Sequence, residues 1–444
     1  MATPDSVMFS ANPVEGTQAE SELVIFRSEL TEYNPSSNKF VRINLPVADK
    51  GWIDWSDSVL SLKFTNRSYD DTSGSTTETK VRTSLANLIK SVSILNSQGE
   101  QIEYINNYNS INAIMDDYSM GKNHKESVEQ ILTGCSKDGN PANAETIAGH
   151  GTTSEGDGTS LVMTDRLMTA FTSGQFLCPL GYLVGTSPAI VLELEDPDTA
   201  LQIDTEANTL SRYKVSNIEI RAKQIRFNSA FNQSFEKTLA EAGASGVNYI
   251  SETFIHSQNS IPASTTGSYN VPFSVNPRSA KYILCQMRTE TEVTKRSGYS
   301  LNLRSSGALT QYNWEIAGKM YPAQPITLSN SDYANGYSNV LDCLGQIGAL
   351  NHSTLLDLNV ANTKFYHRTF TTFNKFVAGL VLEDFNSATN PSVYSGMNLT
   401  TAGQLSFRPQ IDSTQTLTAI RCDFFTCADI SIHITIDGRM YSVK

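Results

Sequence analysis

The sequence predicts an all-β protein built from two antiparallel sandwiches or barrels with a few short helices. Short apolar runs that alternate with polar residues recur along the chain, and such runs are typical of half-buried strands. Ser, Thr and Asn accompany 18 Tyr and 19 Phe, a composition that favours short strands joined by polar turns. A chain of 444 residues is too long for one ordinary core. We therefore expect two domains of about 200 residues each.

The seam between the two domains is predicted near the middle of the chain. Residues 213–227 (YKVSNIEIRAKQIRF) alternate as a strand does, and Phe235 and Leu239 then follow at helical spacing. Residues 242–246 (AGASG) end this helix, because glycine tolerates the left-handed conformation of a helix end. A new strand-like run (YISETFIH) begins at Tyr249. The predicted limits are a flexible arm at residues 1–22, a first domain at 23–230, a helical linker at 231–247 and a second domain at 248–444.

The two halves are expected to repeat one order of elements. Residues 1–22 are polar and unpatterned, which indicates an arm. In the first half, a turn at residues 96–99 joins two alternating runs into a hairpin, and residues 107–119 take helical spacing. In the second half, strand-like runs again precede helical spacing, here at residues 333–344. The clearest strand is the closing one, where isoleucine alternates with polar residues over residues 430–436.

The composition also bears on partners and location. The net charge of −12 argues against a nucleic-acid-binding surface, because neutralising phosphates supplies most of such affinity. The amino terminus has no basic segment followed by an apolar run, and no stretch approaches the roughly 20 apolar residues of a membrane helix. We expect a soluble protein made inside the cell, without membrane insertion and without direct sequence-specific nucleic-acid binding. Six cysteines with no C-x-x-C pair are expected to be reduced, packed thiols.

No motif predicts catalysis or a cofactor. A carboxylate cluster could hold a hard cation such as calcium, but two of its members alternate with Leu192 and Leu194, which favours the solvated face of a strand. The cluster comprises Glu193, Glu195, Asp196, Asp198 and Asp204. The six histidines show no H-E-x-x-H or zinc spacing, and His433 is expected to be exposed or at a sheet edge. The chain lacks a nucleophile elbow, a phosphate-binding loop and a dinucleotide fingerprint. We therefore predict no enzyme, no metal and no cofactor.

The most distinctive stretch is residues 310–326 (TQYNWEIAGKMYPAQPI). It resembles the G-x-x-x-P-x-x-P segment in the second jelly roll of major capsid proteins from virophages and polinton-like viruses, of the adenovirus–tectivirus lineage. The matching positions are Gly318, Tyr321, Pro322 and Pro325. Gly318 is expected to allow a tight bend, and the two prolines to end one strand and stiffen the approach to the next helix.

Shorter stretches elsewhere are similar to the same family. Residues 91–118 resemble the hairpin and helix of the first jelly roll, residues 213–220 its closing strand, and residues 429–443 the closing strand and tail of the second. The resemblance implies a double jelly roll of two eight-stranded antiparallel sandwiches. It also implies a homotrimer that forms a pseudo-hexameric capsomer of an icosahedral virion around a double-stranded DNA genome. Penton and minor capsid proteins would then be further partners.

Two alternatives come from other classes of protein. A jelly-roll carbohydrate-binding protein of lectin type would use exposed aromatic side chains, and Trp52, Trp55 and Trp314 are its candidates. A core role for Trp52 and Trp55 is an equally good interpretation of their position at the start of a strand. A cupin-like metalloenzyme would also be a jelly roll, but the chain lacks a His-x-His pattern.

Overall fold

The computed structural model shows two β-sandwiches that share one continuous core. Buried apolar residues of both halves belong to a single cluster that runs from one sandwich into the other. The structure describes residues 19–47, 50–70, 78–81, 85–119, 130–133, 147–148, 156–173, 177–184, 187–203, 209–243, 246–293, 304–345, 364–369, 374–383, 395–435 and 437–443.

The first sandwich consists of two antiparallel sheets, which we call A and B. Its strands are β1 (Ala19–Arg27), β2 (Glu32–Tyr33), β3 (Phe40–Asn44), β4 (Trp52–Asn66), β5 (Tyr69–Asp70), β6 (Glu78–Val81), β7 (Ile89–Leu95), β8 (Gln101–Asn106), β9 (Ile147–Ala148), β10 (Ser160–Asp165), β11 (Ala189–Leu194), β12 (Leu201–Ile203), β13 (Thr209–Leu210) and β14 (Tyr213–Phe227). Sheet A has the order β1-β14-β4-β10, with β2 also pairing with β14, and sheet B has the order β3-β11-β7-β8. Two smaller ladders have the orders β12-β6-β9 and β13-β5.

The strand β14 shows how the period-two pattern is adjusted to the core. Val215 and Ile218 are both buried, although residues three apart on a regular strand face opposite sides. Asn217 between them has a φ of 51°, a left-handed conformation that asparagine tolerates better than most residues. The pairing of β14 with β4 shifts between Ser216 and Glu219. A β-bulge therefore turns the strand so that both apolar side chains reach the core.

The second sandwich also consists of two antiparallel sheets, C and D. Its strands are β15 (Val247–Ile261), β16 (Gly267–Ser268), β17 (Val271–Phe273), β18 (Ala280–Thr289), β19 (Leu309–Ile316), β20 (Lys319–Thr327), β21 (Val377–Val381), β22 (Leu405–Ile411), β23 (Ile420–Ile434) and β24 (Met440–Val443). Sheet C has the order β15-β23-β18-β21, with β24 pairing with β23. Sheet D has the order β16-β22-β19-β20, with β17 pairing with β22.

Short helices connect the strands. They are α1 (Tyr108–Ser119), α2 (Gln130–Thr133), α3 (Ala170–Ser173), α4 (Pro197–Ala200), α5 (Ser229–Ala242), α6 (Glu290–Val293) and α7 (Ala334–Cys343), with 3-10 turns at Leu85–Leu88 and Leu180–Tyr182. The helix α5 joins the two sandwiches. The Asn228 side chain caps its start by accepting a hydrogen bond from the Phe231 amide over 2.9 Å. Gly243, with a φ of 57°, ends it.

Strand order makes the two sandwiches equivalent. Sheet A corresponds to sheet C, and sheet B corresponds to sheet D, because each sheet has its strands in the same relative chain order. In both halves the hairpin at one edge of the second sheet precedes a helix: β7–β8 leads to α1, and β19–β20 leads to α7. The predicted repetition of elements is therefore present, and the fold is the predicted all-β double sandwich with few short helices.

Two predicted limits need correction. The strand β1 begins at Ala19, so the last four residues of the arm predicted at 1–22 belong to sheet A, and residues 1–18 lie outside the described residues. The polar sequence there does not alternate, but its backbone pairs with β14, with Ala19 opposite Phe227. Glu22 also forms an ion pair with Arg226 at 2.6 Å. The linker predicted at 231–247 is the helix Ser229–Ala242, and Val247 already belongs to β15.

Candidate assembly surfaces

The residues Gly318, Tyr321, Pro322 and Pro325 lie in one β-hairpin. Ala317 and Gly318 have φ values of 51° and 78°, and they separate the paired residues Ile316 and Lys319. Positive φ at both central residues makes the mirror-image turn that suits the twist of a two-residue hairpin. Gly318 therefore lies at the tip of the hairpin, where its φ requires a residue that tolerates the left-handed region.

The two prolines do not end a strand, contrary to the sequence-based expectation. β20 runs from Lys319 to Thr327 through both of them. It is the outer strand of sheet D, and its pairing with β19 jumps from Tyr321 opposite Trp314 to Ile326 opposite Tyr312. Pro322 and Pro325 thus lie in a bulge of an edge strand. A residue without an N–H is tolerated there because no ladder hydrogen bond is lost.

The three tryptophans suggested for sugar binding are buried. Trp52, Trp55 and Trp314 are 8%, 3% and 0% exposed. The rings around Trp52 come partly from α5, which anchors the linker helix on the first sandwich. They are Tyr182, Phe227, Phe231 and Phe235. These tryptophans offer no exposed face for a carbohydrate, so the candidates of the lectin alternative are wrong.

The carboxylate cluster is divided between ion pairs and hydrogen bonds. The Lys39 and Lys90 ammonium groups lie 2.7 and 3.4 Å from Glu193 Oε1. Burial opposes the charged form of Glu193, yet its pKa is lowered because Lys39, Ser91 and Lys90 outweigh that effect. Glu195 is buried rather than solvated, and burial raises its pKa although the Asn109 amide donates to it over 2.8 Å. Asp204 lies outside the described residues. No group of three or more His, Cys, Asp or Glu among the described residues could hold a metal ion.

The described histidines and cysteines are structural in their contacts. His433 stacks on Tyr441 with ring centroids 4.8 Å apart. Its strand is paired on both sides there, so it is not an edge residue. The described cysteines are free and buried, namely Cys178, Cys285, Cys343, Cys422 and Cys427. Burial raises the pKa of the Cys178 thiol to about 12. His124, His150, His352 and Cys135 lie outside the described residues.

A buried ion cluster joins α1 of the first half to the second sandwich. Asp117 Oδ2 lies 2.9 Å from Arg304 Nη1, and Asp117 Oδ1 lies 3.2 Å from Lys375 Nζ. All three side chains are fully buried. Next to them, the Tyr118 hydroxyl donates to the Lys375 carbonyl oxygen over 2.6 Å, and burial raises the pKa of that hydroxyl. Because one buried charge left without its partner is strongly unfavourable, this cluster fixes α1 against the second sandwich.

A second polar cluster lies where α1 begins. Asn107 Nδ2 is 2.9 Å from His256 Nε2, and His256 Nε2 is 3.0 Å from Asp423 Oδ1. The Arg288 guanidinium donates to Asp423 Oδ2 over 2.7 Å, and Arg421 Nε donates to Asp423 Oδ1 over 3.1 Å. Burial alone would raise the pKa of Asp423, but Arg288, His256 and Arg421 hold it well below its usual range. The first half thus reaches a charged core of the second through Asn107.

The carboxy-terminal strand covers the outer strand of sheet B. The Ser442 hydroxyl in β24 donates to the Ile102 carbonyl of β8 over 2.8 Å. The Asn96 amide, in the turn before β8, donates to the Met440 carbonyl over 2.9 Å. The strand β15 of sheet C also lies against β8. Inside one chain, therefore, an edge of the first sandwich packs against sheet C of the second.

In contrast to β8, the strands β1 and β20 are mostly exposed to solvent. Seven of the nine residues of β1 and seven of the nine residues of β20 are exposed. Leu23 and Ile25 on β1 and Met320 on β20 carry large apolar side chains at 69%, 42% and 43% exposure. The sequence pattern does not single out these side chains. An apolar edge strand that faces solvent is a ready site for association with another chain.

Comparison with known proteins places this fold. No protein-family model matches the sequence, and no curated protein sequence matches it significantly. No described helix is long and apolar enough to cross a membrane. Solved structures do match over nearly the whole length of the chain.

Three similar structures with TM-scores above 0.5 come from different viruses. VP54 of PBCV-1, in a crystal structure fitted into a cryo-EM reconstruction of the virophage Sputnik, is similar with a TM-score of 0.60 at 12% identity, covering 98% of this chain and 99% of that chain. The Faustovirus major capsid protein gives 0.59 at 8% identity, covering 98% and 92%. The mavirus major capsid protein gives 0.51 at 8% identity, covering 99% and 93%. This chain therefore has the double jelly-roll fold that these viral capsid proteins share.

Proposed function

We propose that this chain is a viral major capsid protein with a structural, non-enzymatic role. The observation that carries the proposal is the fold, which matches capsid proteins of several viruses from end to end. Two of the similar structures are a model of the PBCV-1 virus capsid and a cryo-EM structure of the Sputnik virophage, so proteins with this fold occur in assembled particles. The location that follows is the virion, after synthesis and assembly inside the host cell.

The assembly unit we propose is a homotrimer. One chain contains two sandwiches of equivalent strand order, so three chains around a threefold axis supply six similar sectors. Such a pseudo-hexameric capsomer can tile an icosahedral shell around a double-stranded DNA genome. The partners are neighbouring capsomers and, at the vertices and seams, penton and minor capsid proteins. The net charge of −12 supports a shell that does not itself bind the genome in a sequence-specific way.

The shape and mass of the purified protein test this proposal. We expect light scattering to give three times the chain mass of 48.7 kDa, with hexagonal outlines in negative-stain images of the same fraction. The expectation follows from six similar sectors around one axis. A protein that stays at the mass of one chain over a wide concentration range would contradict the trimer. Round or elongated outlines at the trimer mass would contradict the pseudo-hexameric arrangement.

A further inference from the structure

The contact between the two sandwiches of one chain uses two strands whose equivalents lie at the outside of the molecule. The strand β8 is the last strand of sheet B, and β15 is the first strand of sheet C. These two lie against each other inside the chain. By strand order, β20 occupies the position of β8 in the second sandwich, and β1 occupies the position of β15 in the first.

The two strands that are in contact within the chain, β8 and β15, are much less exposed than their equivalents, β20 and β1. In β8 two of six residues are exposed, and in β15 three of 15. In β1 and β20 seven of nine are exposed in each. The strands that are covered inside the chain are thus the equivalents of the strands that are left open.

We infer that β20 of one chain packs against β1 of a second copy, repeating between chains the contact that β8 makes with β15 within a chain. The inference rests on the proposed homotrimer and names its contact surface. Each chain offers one β1 and one β20, so the contact is head-to-tail. Such contacts form a closed ring when the rotation between neighbouring chains returns to the start, and six sectors then alternate internal and external contacts of one kind.

The side chains on the two open strands suit this contact. Leu23 and Ile25 are two residues apart on β1 and so share one face, and Met320 presents a further apolar side chain on β20. Burying them between chains removes apolar surface from water, which is the main driving force of association. Near their first residues the two strands also carry exposed side chains of opposite charge, namely Glu20 on β1 and Lys319 on β20.

Charge substitutions on β1 test the surface. We expect Leu23→Glu and Ile25→Glu to convert the trimer to monomers at concentrations where the wild-type chain is trimeric, as measured by light scattering. Val162→Glu is the matched control, since Val162 is 63% exposed on β10 at the opposite edge of the same sheet. It should leave the trimer intact. Circular dichroism melts of all three variants check that the fold is retained.

Cross-linking supplies an independent readout that does not depend on weakening the assembly. With cysteines at both Leu23→Cys and Met320→Cys, a short bismaleimide should join chains into covalent dimers and closed trimers on a denaturing gel. Either single substitution alone should give no more than the wild-type background of its native thiols. Mixing the two single variants should give covalent dimers, because each contact uses one strand from each chain.

The outcomes separate this inference from the proposed function. A wild-type trimer that survives Leu23→Glu and Ile25→Glu and gives no cross-link overturns the β1–β20 contact while the capsid proposal stands. A wild-type chain that is monomeric throughout overturns the trimer itself and the contact with it. A trimer that dissociates in both β1 variants, persists in Val162→Glu and yields the double-variant cross-link supports the contact.

Discussion

The two hairpins that precede α1 and α7 have the same place in their sandwiches and opposite surroundings. In the first half, ten of the 12 residues of α1 are buried, and β8 is covered by β15 and β24 of the same chain. In the second half, three of the ten residues of α7 are buried, and β20 faces solvent. The covered side holds buried charges such as Asp117, whereas the open side holds two prolines. Strand order therefore sets where an element lies, and the neighbour sets which residues that element can carry.

The largest difference between the two sides is expected at the ends of the two helices. Asp117→Ala should lower the free energy of unfolding by about 3–5 kcal/mol, because Arg304 and Lys375 would keep buried charges without their carboxylate. Asp342→Ala near the end of α7 is the matched control, since Asp342 is exposed, and its effect should stay within about 0.5 kcal/mol. Urea unfolding of both variants measures the difference. Similar values for the two variants would remove the distinction between the sides.

A smaller difference in stability is expected between substitutions at the second residue of β8 and the second residue of β20. Ile102 in β8 is 2% exposed, whereas Met320 in β20 is 43% exposed. Ile102→Ala should cost about 3 kcal/mol of stability through lost burial and the cavity left behind. Met320→Ala should change the stability of the monomer by no more than about 0.5 kcal/mol. The monomeric Leu23→Glu background keeps the second measurement free of assembly, and a large loss for Met320→Ala in it would show that β20 is covered within the chain.

A single hydroxyl sharpens the comparison further. Tyr118→Phe removes the hydrogen bond to the Lys375 carbonyl and should cost about 1 kcal/mol, the usual net value for such a bond. Tyr333→Phe at the start of α7 serves as the control for ring chemistry, because Tyr333 is only partly buried, and little change is expected. Differential scanning calorimetry of both variants reports the shift in melting temperature. An equal drop in melting temperature for Tyr333→Phe and Tyr118→Phe would show that the Tyr118 hydrogen bond is not the source of the effect.

The last prediction concerns a stabilising contribution that is present at neutral pH and lost in acid. The pKa of Asp423 in the folded protein lies below its usual range, and an unfolded aspartate has a pKa of about 3.9. The carboxylate therefore contributes stability above the unfolded pKa, and this contribution is lost as the pH falls through that value toward the folded pKa. We expect the unfolding free energy to fall between about pH 5 and about pH 2 more steeply in the wild type than in Asp423→Asn. Equal slopes in denaturant titrations would show that Asp423 does not carry this dependence.

The sequence predicts the architecture because the strands carry local signals. The alternation of isoleucine at the end of the chain becomes β23, and the helical spacing before residue 119 becomes α1. The start of β1 escapes prediction because Ala19–Glu22 has no apolar alternation and is a strand only through pairing with β14. The prolines of β20 mislead for a related reason. A local pattern indicates that proline breaks a ladder, but only the sheet order shows that none of the described strands pairs with β20 on its outer side.

The contacts between the halves could not be predicted from local pattern at all. Asp117 and Lys375 lie far apart in the chain, and neither has a neighbour in the sequence that marks it as buried. A lysine is almost never fully buried without a partner, so the sequence favours a solvated side chain at both positions. The same holds for Leu23, Ile25 and Met320, whose significance depends on which strands the chain itself leaves uncovered.

The bulged, proline-bearing edge of β20 has a consequence for the free protein before it meets its neighbours. Proline has no N–H to offer, and a bulge disrupts the straight row of backbone groups that a foreign strand would need. Such an edge resists the open-ended strand addition that leads to fibrous aggregates. We therefore expect Pro322 and Pro325 to oppose strand addition at the exposed edge of β20. Replacing both prolines is expected to increase the insoluble fraction of the expressed protein before it changes the folded structure.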